Sequence, residues 1–404
     1  GDADNSGRRN SALEALIGAG ARVVSRVIAD LATDDADVRK QLVDVVAGIG
    51  DPEGCGAMLY MLGDPDANVA AAAADALGVL GGEEAIRALT GVATDADAGQ
   101  LLRASALRSL ARLEVVVPGN DLASCVSDAV LRPAAFELMG YSEDERALDE
   151  LFKGLELRAH SSKEAAVEAL LRRVARAEPS EAMQVSARLE GAVQANAQVV
   201  DWAVESLPEA ALKSRMRLIQ FLGLSRHPSA VVPILLCASD AAVSDLAHAT
   251  LVAFGALADR ELDASWSDLT HAAQLEACRA MGSLAEPASA SRLMLVLADP
   301  DSELRSAAAH ALAERRHAQA LPILLERLAR VAVVGEDEER EAIAASIAAI
   351  SAAPGHGETR LVDEVVAALA ELLEGGCESL RFAVAEVLGG LSGRCDAALL
   401  GKLS

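Results

Sequence analysis

Apolar residues recur along this chain at helical spacing, in a pattern that returns about every 30 residues. From Asp37 the sequence reads DVRKQLVDVVAGIGDPEGCGAMLYML. Thirty-one residues on, from Asn68, it reads NVAAAAADALGVLGGEEAIRALTGVA. Val38 aligns with Val69, Val46 with Leu77, Ile49 with Leu80, Gly50 with Gly81 and Glu53 with Glu84. The pattern returns from Glu303 as ELRSAAAHALAERRHAQALPILLERLA. Val38, Leu42, Val45, Val46 and Ile49 fall on one face of a helix predicted over 37–49. Gly50 stops that helix at the C′ position. A second helix is predicted over 53–62, ended by Gly63. The Asp64-Pro65-Asp66 turn then offers an N-cap to the next helix. Asp299-Pro300-Asp301 does the same later, and Asp34 to Asp37 and Thr94 to Asp97 occupy equivalent positions.

Each unit is thus a helix pair that cannot bury its apolar face alone, and stacking is the remedy. The expected fold is an all-α solenoid of about 11–13 stacked antiparallel helix pairs, wound as a right-handed superhelix. The repeat is regular over 11–113 and 271–404 and divergent over 114–270. The polar segment 1–10 is expected to be disordered.

The sequence resembles HEAT repeats, most closely the bacterial PBS-lyase HEAT-like subclass. In that subclass an Asp/Pro turn precedes Val-Arg, an Ala-rich first helix, a Gly-containing bend and a second helix of the A-x-P-x-L kind. Val38-Arg39, Leu304-Arg305 and Leu380-Arg381 fit the start of the first helix. Ala320-Leu321-Pro322-Ile323-Leu324 and Val232-Pro233-Ile234-Leu235 fit the second. Basic residues recur at the matching place in Arg103, Arg132 and Lys163, whereas position 70 departs with Ala. The bilin-handling relatives carry no catalytic residue that transfers to this chain.

Composition agrees with helices packed at short range. Of 404 residues 52% are hydrophobic but only 2% aromatic, so Ala, Leu and Val carry the burial. The formal charge is −25, which makes bare nucleic acid a poor partner. The acid is uneven: residues 1–150 hold 12 basic and 26 acidic groups, giving −14. No apolar stretch reaches membrane-spanning length. The six cysteines are scattered without a CxxC and read as buried thiols of a reducing, cytoplasmic compartment.

No catalytic signature is present, neither a phosphate-binding loop nor a nucleophile elbow. The seven histidines do not pair at metal-ligand spacing. Glu314 to His317 spells ExxH, half of a di-iron motif, but falls on the bend between helices. The D-x-D turns lack the further oxygens of a calcium loop. No metal and no cofactor is expected. Because the turns recur once per repeat, Asp35, Asp37, Asp64, Asp66, Asp95 and Asp97 are expected to line one edge. Arg39, Arg103, Arg132 and Arg305 are expected to pin the stack, each reaching a carboxylate in a neighbouring repeat, and Arg381 holds the same repeat position. Trp202 and Trp266 stand in the least repetitive region; core placement and a hot-spot role are both open.

The expected function is a non-enzymatic scaffold or adaptor in a bacterial cytoplasmic complex. It would bind a protein with a basic surface through its concave face or its acidic edge. Two other classes are weighed: a bilin lyase-like enzyme subunit, and a DNA-binding solenoid, which the charge disfavours. Oligomeric state is not legible.

Overall fold

The computed structural model describes residues 3–284, 286–334, 337–352, 364–371 and 378–390. Among the described residues there are helices and turns and no strand, and no helix is long and apolar enough to cross a membrane. His356, Cys377 and Cys395 lie outside the described residues. The chain divides into two compact units, 1–199 and 200–404. The segments 11–113, 114–270 and 271–404 differ in repeat regularity; packing divides the chain elsewhere.

The first unit stacks six described helix pairs. Its first layer is α1 (Ala3–Ala19), α3 (Ala36–Ile49), α5 (Ala67–Leu80), α7 (Gln100–Arg112), α9 (Arg132–Met139) and α11 (His160–Arg176). Each of these packs on the next. The second layer is α2 (Val24–Asp30), α4 (Cys55–Met61), α6 (Glu83–Thr94), α8 (Ala123–Ser127), α10 (Glu145–Leu155) and α12 (Pro179–Ala195). Helix α13 (Gln198–Ser206) spans the division.

In the second unit the first layer is α14 (Leu212–Ser225), α16 (Ser244–Phe254), α18 (His271–Ser283), α20 (Ser302–Glu314) and α22 (Asp337–Ser351), followed by Glu378–Gly390. These too pack in succession. Opposite lie α15 (Val231–Cys237), α17 (Ala256–Ser265), α19 (Pro287–Val296) and α21 (Leu321–Val334).

Local chemistry explains the element ends. Asp35, Asp66 and Asp301 cap α3, α5 and α20, each carboxylate accepting from two backbone N–H groups of the first turn. Fifteen residues after each of these caps the backbone turns left-handed, at Gly50 (φ 70°), Gly81 (φ 66°) and Arg316 (φ 52°). The helices α3, α5 and α20 that these caps and turns bound are therefore of nearly equal length, 14, 14 and 13 residues.

Small residues set the closest approach between first-layer helices. A Cβ added at Gly78 would stand 2.5 Å from Ser109 Cβ, and one at Gly140 would stand 2.9 Å from Ala169 Cα. One at Gly282 would stand 3.0 Å from Ala311 Cα. Such spacing leaves no room for a methyl group. The alanines of α5 are accordingly core: Ala70 to Ala74 and Ala76 are all buried.

Two sequence expectations change. The polar segment taken as disordered is helical from Ala3, because it continues the Ala- and Leu-containing turns of α1 backwards. That helix docks through Ile17, which reaches 2.7 Å from where a Cβ on Gly48 would lie. Val38 is 39% exposed, and Val43 takes its place in the core. One repeat before Val38 stands Gly7, which has no side chain to cover it.

Candidate functional site

Because first-layer helices of the first unit pack side by side in repeat register, their N-termini share an edge. The turns before them carry the predicted aspartates. Asp35, Asp37, Asp95 and Asp97 are exposed and Asp66 is half-buried. Asp95 accepts from the Asp97 N–H at 2.9 Å. Asp97 caps nothing: α7 begins two residues later than the repeat pattern predicts, with Gly99 as its N-cap. Asp128 extends the edge before α9. The Val130 N–H and the Gln100 amide hold its carboxyl below the usual carboxylate range.

Asp64 differs from the others. Its side chain is 4% exposed and takes a two-pronged bond from Arg39, at 2.8 and 2.9 Å. It therefore belongs to the stack rather than to the surface ridge, joined to Arg39 across 25 residues. Arg103 and Arg132 also turn inward but meet no carboxylate. Arg103 donates to Ala93 O at 3.3 Å and Ser124 Oγ at 2.9 Å. Arg132 donates to Val126 O at 2.6 Å and Ser127 O at 3.2 Å. Arg39 reaches its acid 25 residues on. At that distance from Arg132 stands Leu157, and at that distance from Arg103 stands Asp128, already held by Gln100.

In the second unit Arg305 pairs with Glu339, while Arg381 is exposed. The sequence reading missed Arg215. It pairs with Asp240 at 2.7 Å and donates to Leu207 O and Ala210 O. The signal was present: Arg215 and Asp240 keep the 25-residue spacing of Arg39 and Asp64. Trp202 and Trp266 are both half-buried, on separate elements. The Arg292 guanidinium lies 5.9 Å from the Trp266 ring centre.

A hollow of about 610 Å³ lies along α18, α20 and α22, bordered by Glu303, His310, Asp337 and Glu338. Beside it, His271 Nε2 approaches Asp301 at 3.1 Å and Glu303 at 3.7 Å. Among the described residues these three form the group whose ligand atoms converge, within 4.8 Å. One Asp301 oxygen is committed to capping α20, and the helix N-terminus beneath is a poor neighbour for a cation.

The ExxH motif is split as predicted: Glu314 ends α20 and accepts from Ser283, while His317 caps a 3₁₀ turn. Burial, then Arg315, holds the His317 imidazole below its ordinary pKa. Of the four described cysteines, all free, Cys125 and Cys278 are buried and Cys55 and Cys237 half-buried. Burial pushes the Cys278 thiol up to about 12.

Residues 24–111 and 262–348 match the sequence model of HEAT repeats. No curated protein matches the sequence. Among solved structures, the chain is similar to the karyopherin Kap121p bound to the extreme C-terminus of the protein phosphatase Cdc14p. The identity is 13% and the TM-score 0.52, over 95% of this chain and 46% of that one. That likeness shows the α-solenoid fold, with this chain spanning about half of the karyopherin. An engineered protein is similar at 19% identity and TM-score 0.37, over 92% of this chain and 99% of its own. The complex of CpcE and CpcF of phycocyanin lyase from Nostoc sp. PCC7120 is similar at 17% identity and TM-score 0.37, over 65% and 93%.

Proposed function

We propose that this chain, which carries HEAT repeats in both compact units, is a non-enzymatic scaffold. Its acidic edge in the first unit docks a protein with a basic surface. One observation supports this reading above the others, a division of charge at that edge. Asp35, Asp37, Asp95 and Asp97 are exposed and Asp66 half-buried, whereas Arg39, Arg103 and Arg132 turn into the stack. The basic groups nearest the edge are therefore spent inside, and the outward field stays negative.

Stacked repeats present extended surfaces to partners. The charge that favours a basic protein disfavours nucleic acid. The proposal includes a bacterial, cytoplasmic setting, in keeping with four free cysteines. It involves no cofactor.

The test uses a partner recovered by cross-linking in the native cell. Its association rate with the full chain is measured across a salt series, for the wild type and for the Asp35→Asn, Asp66→Asn, Asp97→Asn triple variant. A rate that falls with salt, and falls less steeply in the variant, supports charge-steered docking. An unchanged rate and slope would make the edge a solvated face.

A further inference from the structure

Residues 26–64 and 202–240 correspond without a gap, at a constant offset of 176. The 3₁₀ turn Pro52–Gly54 maps on Pro228–Ala230, and α4 maps on α15. The left-handed Gly50 maps on the left-handed Arg226. The Arg39–Asp64 pair maps on Arg215–Asp240. Buried Leu31, Val43, Val46 and Met58 map on buried Leu207, Ile219, Leu222 and Ile234. The two repeats are therefore built alike, and differences in side-chain size between them are meaningful.

Three such differences cluster. Ile28, Tyr60 and Met61 of the earlier repeat become Val204, Leu236 and Cys237. All three replacements are smaller, Tyr60 being itself 81% exposed, and all three line a cavity of about 340 Å³ between α13 and α15. Leu207 keeps the size of Leu31, and Pro208 and Pro233, larger than Ala32 and Ala57 of the earlier repeat, complete the wall, with the Arg215–Asp240 pair at the rim. Met61 is buried in the earlier repeat, whereas Cys237 is half-buried. Leu236, at the mouth, is 54% exposed. The volume falls at the small end of the range for ligand pockets, about 300–1,000 Å³.

The rim has a sign. Glu205 and Glu209 are exposed on either side of Leu207 and Pro208, and the Asp240 side chain is 42% exposed. The donors of Arg215 point to Asp240, Leu207 O and Ala210 O. An apolar hole with acidic shoulders complements an apolar side chain flanked by positive charge.

We infer that this cavity receives one apolar side chain of leucine, methionine or phenylalanine size, carried on a partner segment with lysine or arginine beside it. The inference rests on the reading of the protein as a scaffold for basic partners, and adds a separate place, within the second unit, where a basic partner segment is held. Anchors of this kind, an apolar group entering a pocket, carry most of the energy of small interfaces.

The test uses fluorescein-labelled pentapeptides Lys-Lys-Xaa-Lys-Lys, with Xaa as Leu, Phe or Ala, and a Glu-Glu-Leu-Glu-Glu control. Binding to the full chain is followed by anisotropy. The Leu and Phe peptides should bind about tenfold tighter than the Ala peptide. The Glu-flanked control should bind more weakly than either. The Val204→Ile, Cys237→Met double variant restores the residues of the earlier repeat and fills the hole. It should keep its thermal midpoint and lose the preference for Leu over Ala. Cys237→Ala, which enlarges the hole, provides a second reading and should shift preference from Leu toward Phe.

Equal binding of the Leu and Ala peptides, or a preference that survives the filled variant, overturns the pocket and leaves charge-based docking standing. If the Lys-flanked peptides bind no better than the Glu-flanked one, the inference also falls, whereas the edge of the first unit stands or falls on its own salt series. A dimer of this chain that the filled variant abolishes would assign the pocket to a second copy and overturn the proposal.

Discussion

The Arg305 guanidinium and the Glu339 carboxylate meet with both side chains at most 4% exposed, Nε to Oε1 at 2.7 Å, across 34 residues of sequence. A second cation, Arg327 on α21, donates to the same Oε1 at 2.7 Å. One carboxylate thus ties α20, α21 and α22 together. Arg305 also donates to Asp299 O and Pro300 O, which fixes the turn before α20. Removing Glu339 would leave two guanidinium groups facing each other with little water. Glu339→Ala is expected to destabilise the second unit by about 3–5 kcal/mol. Both tryptophans of the chain belong to that unit, so urea unfolding followed by their fluorescence reads it directly. A loss under about 1 kcal/mol would mean that water reaches the cluster.

Close helix approach makes a second expectation. Gly78→Ala places a methyl group 2.5 Å from Ser109 Cβ, a distance that no packing tolerates. Helices α5 and α7 must part, and Ser109 Oγ must release Ala74 O, which it holds at 2.9 Å. The cost should be about 1–3 kcal/mol. Ala308→Leu, at a fully buried position of α20, should cost a similar amount. Thermal unfolding by circular dichroism measures both, and a neutral Gly78→Ala would place the seam elsewhere.

Backbone strain at a helix end points the other way. Arg316 is exposed and holds φ 52°, at the position where Gly50 and Gly81 serve the earlier repeats. A side chain pays steric cost in that conformation and glycine does not. Arg316→Gly should stabilise the second unit by about 0.5–1 kcal/mol. A fall in the urea midpoint would show that the arginine side chain makes a contact worth more than the strain.

Much of this architecture is legible along the chain, and the limits of that legibility have physical causes. Helix pairing follows from apolar periodicity, and the caps at Asp35, Asp66 and Asp301 follow from turn chemistry, because both depend on neighbours within a few residues. Long-range partners do not. Arg39 finds its acid 25 residues on, Arg305 finds one 34 residues on, and Arg132 finds only carbonyls. Glu339 reads as one more acid at a helix start, yet it is the most deeply buried carboxylate of the Arg305 cluster. The cavity beside Cys237 is not legible in this way, because against the repeat 176 residues earlier part of its lining is smaller and part, Pro208 and Pro233, is larger.

Acid should loosen the Arg39–Asp64 pin. The Arg39 guanidinium, first by its hydrogen bond, holds the Asp64 carboxyl below its ordinary pKa, against the opposing effect of burial. A depressed folded pKa means that the stabilisation is present above the unfolded value of about 3.9 and disappears as pH falls through the folded pKa. Asp64→Asn should therefore destabilise the first unit near neutral pH and make little difference well below pH 3.9. Unfolding midpoints of wild type and variant between neutral and acid pH should converge on the acid side. Parallel curves would mean that the pair contributes nothing through charge.

Capping separates the aspartates of the edge into two kinds, and this decides how its charge can be tested. Asp35 and Asp66 accept two N–H groups each from the helices they start. Asp97 accepts none that opens α7, whose N-cap is Gly99. Asp66→Ala should then cost about 1 kcal/mol, because two first-turn donors lose their acceptor. Asp66→Asn should cost little, since asparagine caps as well as aspartate. Asp97→Ala should stay within about 0.5 kcal/mol of the wild type, as substitutions at exposed positions without a structural role do. A large loss at Asp97 would mean that α7 begins earlier in solution, with Asp97 as its cap. If the three values fall in the expected order, the asparagine triple variant removes three charges while leaving the helix starts intact. Any change in partner association rate is then attributable to the field at the edge rather than to frayed helices.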